Sequence, residues 1–80
     1  MNYDEFIGQV QYRAELGSRG EAVRATRATL KTLGERLQPD EAKDLASPLP
    51  REIDRFVATA DSGQSFGYSE FVERVAERAE

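Results

Sequence analysis

The chain has 80 residues, with eleven lysines and arginines against fifteen aspartates and glutamates, a formal charge of −4. That length allows one domain, near the size at which a single core only just offsets chain entropy. The negative balance argues against general affinity for nucleic acid or anionic membrane, and the absence of cysteine and histidine excludes disulfides, thiolate chemistry and cysteine zinc sites and removes the commonest general base and metal ligand.

The first helix is expected to begin at Asn2, a good N-cap, with Glu5 three residues later and Met1 placed to pack on Phe6. Tyr3, Phe6, Ile7, Val10 and Ala14 recur at helical spacing and predict its buried stripe. Leu16-Gly17 is expected to end it, the glycine taking the left-handed position. The central helix follows over Ser18 to Leu37, the longest segment without proline. Ser18 and Glu21 have the form of a capping box. Val23, Thr26, Leu30, Leu33 and Leu37 fall on one stripe.

Pro39 suits the first turn of a short third helix, and Asp40 and Glu41 suit the positive end of its dipole. Ala42, Leu45, Ala46 and Leu49 give it an apolar edge, and Pro48 closes it. Pro50 opens a fourth helix with Ile53, Phe56 and Val57 facing inward. The polar loop Asp61-Ser62-Gly63-Gln64-Ser65 reads as the mobile segment of the chain. A last helix starts near Gly67, with Glu70 as its capping partner and Phe66 and Phe71 as its staple. Phe71, Val72, Val75, Ala76 and Ala79 continue its stripe. No strand-like alternation of useful length occurs. The expected fold is all-α, one domain over residues 1–80, a compact bundle of about five helices of which two are short.

The two ends of the chain echo each other. Residues 3–15 and 68–80 align without a gap and share seven of thirteen residues. Two amphipathic helices could share common residues by chance. The coincidence of cap, staple and core positions favours reading the last helix as the opening of a second copy of the unit. Tyr3-Asp4-Glu5-Phe6, Glu21 to Leu30, Thr32 to Leu37, Asp44-Leu45-Ala46, Leu49-Pro50 and Glu70 to Ala76 together resemble the domain-of-unknown-function 2267 family. That resemblance implies a helical prokaryotic protein, often built of two related halves, of which this chain would hold one half and a further helix. It implies no activity.

Candidate sites are few. Arg24, Arg27 and Lys31 share one quadrant of the central helix, in a segment with five bases and two acids. They form a candidate anion or partner patch. The plainer reading is a solvated face on which Glu21 and Glu35 neighbour Arg24 and Lys31. Carboxylates at Asp40, Glu41 and Asp44 would repel phosphates from the third helix, so a helix-turn-helix role there is not expected. The loop from Thr59 to Glu70 has the length of a calcium loop but keeps only Asp61 and Glu70 as carboxylates, too few to offset dehydration of the ion.

Catalysis is not expected. The serines have no histidine to activate them, and Glu73 and Glu77 sit one turn apart on an outward face. No cofactor and no metal site is expected. Phe6, Phe56, Phe66 and Phe71 are read as core and Tyr12 as exposed. The functional expectation is a small cytoplasmic, non-enzymatic protein–protein interaction or assembly module, with a protein partner or a second copy as ligand and no membrane. The alternative is a nucleic-acid or phosphate-ligand binder using Arg24, Arg27 and Lys31.

Overall fold

The computed structural model describes all 80 residues and contains five α-helices and no strand. They are α1 (Tyr3–Arg13), α2 (Arg19–Arg36), α3 (Pro39–Ala46), α4 (Arg51–Ala58) and α5 (Tyr68–Ala79). The helix starts follow the sequence closely. The Asn2 side chain accepts the Glu5 amide at 2.8 Å and donates to the Glu5 carboxylate at 2.9 Å. Ser18 Oγ accepts the Glu21 amide at 3.1 Å, while the Glu21 carboxylate takes the Gly17 amide at 3.0 Å. In α3 the Glu41 carboxylate takes the Gln38 amide at 3.0 Å, behind Pro39 in the first turn. Apart from the bond between the Asn2 and Glu5 side chains, each of these satisfies a backbone amide that the helical ladder leaves free.

The helix ends differ more. Helix α1 stops at Arg13 with Ala14 as its cap, and the left-handed residue is Glu15 (φ 54°), not Gly17. The Leu16 amide reaches Gln11 O at 2.9 Å and the Glu15 amide reaches Tyr12 O at 3.3 Å. This is the Schellman pattern, which fixes the reversal two residues earlier than the glycine suggests and places a glutamate in a backbone region costly for it.

Helix α2 lies at the centre, with α1, α4 and α5 all packed on it, and α3 packs on α4. The apolar cluster is Leu30, Ala42, Ala46, Ile53 and Val57, with Tyr3, Phe6, Leu37, Leu45, Leu49 and Phe56 against its sides. The body measures 32 × 26 × 16 Å. Its shortest dimension leaves room for little more than two helix layers. Few side chains can then be enclosed on every side, and only 12 of 80 residues are buried. For this reason Phe6, Phe56, Phe66 and Phe71 are half-buried, not central as their stripes suggested. Small residues take the middle: Ala22, Ala28, Ala42 and Ala46.

Gly34 sets the spacing between α2 and α4. A β-carbon there would lie 2.8 Å from Ala60 Cβ and 2.9 Å from the Val57 carbonyl oxygen. Neither neighbour is the end of a flexible side chain, so the helices meet backbone to backbone. Gly34→Ala should therefore destabilise the protein by about 1–3 kcal/mol through overpacking, although alanine is the better helix former by about 1 kcal/mol. Urea unfolding of the two proteins decides it, since an unchanged or raised midpoint would mean that α4 can move away freely.

Candidate functional site

Helix α5 is held to the bundle in a different way from the other four. None of its residues is fully buried. The side it turns towards α2 carries Phe71 and Val75 with two arginines, Arg74 and Arg78, one turn apart. Facing them is Glu35, a glutamate of α2 that is 8% exposed. Arg78 grips it in bidentate fashion, Nη1 to Oε1 at 2.6 Å and Nη2 to Oε2 at 2.8 Å. Arg74 Nη1 donates to the same Oε1 at 3.0 Å.

Further polar groups complete the cluster. Arg78 Nη1 also donates to the Thr32 hydroxyl at 2.8 Å, and that hydroxyl in turn donates to the Ala28 carbonyl at 2.8 Å. Arg74 donates to Gln64 Oε1 at 2.9 Å and, through Nε, to Glu70 Oε2 at 2.9 Å. Its guanidinium stands 4.0 Å from the Phe66 ring centre, a cation–π contact that orients the arginine. Both carboxylate oxygens of Glu35 accept from a guanidinium, so the group is paired despite its burial. The hydrogen bonds from Arg78 hold its acid below the ordinary carboxylate range, against the opposing effect of burial, with Arg74 adding to the lowering.

The loop before α5 joins the same cluster. The Gly63 amide caps Leu37 O at 2.8 Å and the Gln64 amide caps Glu35 O at 2.9 Å. Both carbonyls lie at the C-terminal end of α2, where the helix leaves acceptors without partners. Gly63 reaches this position with φ 82°, which favours glycine. Arg36 Nε donates to Phe66 O at 2.8 Å. The segment read as mobile is thus tied by its backbone to the end of α2. Glu70, read as a cap, does not cap α5 and pairs with Arg74 instead.

Arg24, Arg27 and Lys31 all lie exposed on α2. The ion pairs of the chain run elsewhere: Asp4–Arg19, Glu35–Arg74, Glu70–Arg74 and Glu35–Arg78. The expected pairings of Glu21 with Arg24 and Glu35 with Lys31 are not formed, because Glu21 turns to the Gly17 amide and Glu35 turns into the bundle. The three bases therefore share a face without a carboxylate to neutralise it. Nothing in the sequence reading marked Glu35, Arg74 and Arg78 as a group. The available signals were the one-turn spacing of two arginines next to Phe71, and a glutamate flanked on its helix by the small residues Ala28, Thr32 and Gly34.

On its other side α5 leaves apolar surface open. Tyr68 is 83% exposed and Val72 45% exposed. With Ala76 they border a shallow depression of about 260 Å³ at the α2–α5 seam, whose inner wall is Phe71, Val75 and Thr29 of α2. Here the helix departs from the expected stripe, since Val72 and Ala76 face outward and the arginines face inward.

These features define an all-helical bundle whose last helix is docked by a partly buried ion cluster around Glu35 and whose open faces are apolar on one side and basic on another. Residues 3–80 match the family described as uncharacterized conserved protein (DUF2267), and the chain belongs to that family. No curated protein and no solved structure matches it. No helix is long and apolar enough to cross a membrane.

The cluster has a pH consequence with a definite sign. A carboxyl group held below its unfolded value stabilises the fold fully above that value, about pH 4.3 for glutamate. The stabilisation is lost as pH falls through the depressed folded-state value. Wild type should lose more stability between pH 6 and pH 3 than Glu35→Gln, which has no proton to take up there. Urea midpoints across that range test this, and parallel curves for the two proteins would contradict it.

Proposed function

We propose that the protein is a small, non-enzymatic, cytoplasmic interaction or assembly module that engages a protein partner through the outward side of α5 and the adjoining part of α2. One comparison carries this reading. Residues 68–80 repeat seven of the thirteen residues of 3–15, and the shared Phe6/Phe71 and Val10/Val75 are half-buried in both helices, yet the positions beside them are used differently. In α1, Ile7 is fully enclosed and Tyr3 half-buried, and Arg13 is exposed. In α5, the positions equivalent to Tyr3 and Ile7 are the exposed Tyr68 and Val72, while Arg78, equivalent to Arg13, is packed on Glu35. A surface that is buried in one copy of this sequence and open in the other is a surface built to be covered. Second copies of the chain are the simplest candidates to cover it.

Size-exclusion chromatography with light scattering tests the reading. Association should appear as concentration rises and should be abolished by Val72→Glu, which places a charge in the centre of the open face. A strict monomer at high concentration would count against self-association.

The exposed, unpaired set Arg24, Arg27 and Lys31 supports a second reading, a phosphate or nucleic-acid contact on another side of α2. Duplex DNA titrated at low ionic strength discriminates the two. Three phosphate contacts imply a salt slope of roughly −3 in log–log form, and no binding at low salt disposes of this reading.

A further inference from the structure

We infer that α5 and the loop before it form a separately opening element, latched by Glu35, which undocks and unwinds while α1–α4 remain folded.

Four observations converge on this. First, the apolar cluster is drawn from α2, α3 and α4 with side contacts from α1, and no residue beyond Val57 belongs to it. Second, α5 packs substantially on α2 alone and encloses none of its own residues. Third, beside the half-buried Phe71, Val75 and Ala79, what holds it is a polar cluster, the Arg74 and Arg78 contacts to Glu35 with Thr32 and Gln64 alongside. Fourth, α5 has 12 residues and no side chain capping its N-terminus at Gly67. A helix that short is marginal in water without tertiary contacts. Once released, it has little reason to stay helical.

The charged groups around the latch are Arg74 and Arg78 from α5, with Glu70 behind Arg74. Its own helix contributes Arg36, which is engaged by the Phe66 carbonyl. No side chain of α1, α3 or α4 hydrogen-bonds or ion-pairs with Glu35. The latch therefore responds to changes at the α2–α5 contact and not to the rest of the bundle. Opening would uncover the α2 side bearing Ala28, Thr32 and Glu35, together with Phe66 and Phe71. This inference does not depend on the partner reading above, since a strict monomer could open in the same way.

Native-state amide hydrogen exchange of the full chain, read residue by residue by NMR, is the test. In wild type the amides of Val75 and Ala76 should exchange at least tenfold faster than those of Leu30 and Ile53, because they open locally. Glu35→Gln should speed Val75 and Ala76 by about ten- to a hundredfold, the range expected for losing hydrogen bonds to a charged group. Ile53→Val, a mild change in the apolar cluster, should speed exchange in α2 and α4 and leave α5 unchanged. The inference is overturned if α5 and core amides exchange alike in wild type, if Glu35→Gln leaves α5 unchanged, or if Ile53→Val speeds α5 as much as the core.

Discussion

Two neighbouring residues of the central helix, Gly34 and Glu35, determine how closely α4 approaches it and how α5 is docked on it. Gly34 presents bare backbone, so α4 approaches until Ala60 and the Val57 carbonyl occupy the space a side chain would need. Glu35, pointing to the other side, supplies the one buried carboxylate, and α5 brings two arginines to it. One contact is set by the absence of atoms and the other by charge. The first is stiff, since overpacking a backbone contact moves whole helices. The second is conditional, because a buried charge is stabilising only while its partners are in place.

This division explains why the bundle is uneven in depth. Between α2, α3 and α4 the small and branched residues Ala42, Ala46, Ile53 and Val57 form a true interior. Towards α5 the interior gives way to hydrogen-bonded polar groups, and the apolar residues of the helix turn partly to solvent. In a body 16 Å across its shortest dimension, the four phenylalanines cover the edges of the core instead of filling it. The C-terminal carbonyls of α2 are met by the loop amides of Gly63 and Gln64. Residues 59–80 thus form a polar attachment to an apolar four-helix core.

Most of the fold was legible in the sequence because caps and prolines act locally. Asn2, Ser18, Pro39 and Pro50 each mark a helix start within a residue of its place. Ile7, Leu30, Ile53 and Val57 were identifiable as core from spacing alone. What stayed hidden depends on which helix meets which. The reversal at Glu15 cannot be seen because a glutamate does not advertise a left-handed backbone, while Gly17 nearby does. The role of Glu70 was misassigned because a glutamate three residues after a helix start serves equally as a cap or as a partner one turn along, and Arg74 takes it. Glu35 was assigned to Lys31 by spacing on its own helix, whereas its partners lie 39 and 43 residues away. Arg24, Arg27 and Lys31, three and four residues apart on the central helix, are all exposed.

The view of the molecule as a core with an ion-docked final helix rests on Glu35 and Arg78 acting as a pair and not as two separate polar residues. A double-mutant cycle of Glu35→Gln and Arg78→Gln, followed by urea unfolding at neutral pH, measures that coupling directly. A coupling energy on the order of 1–2 kcal/mol is expected for groups in direct contact within one network. Strictly additive effects of the two substitutions would contradict the account.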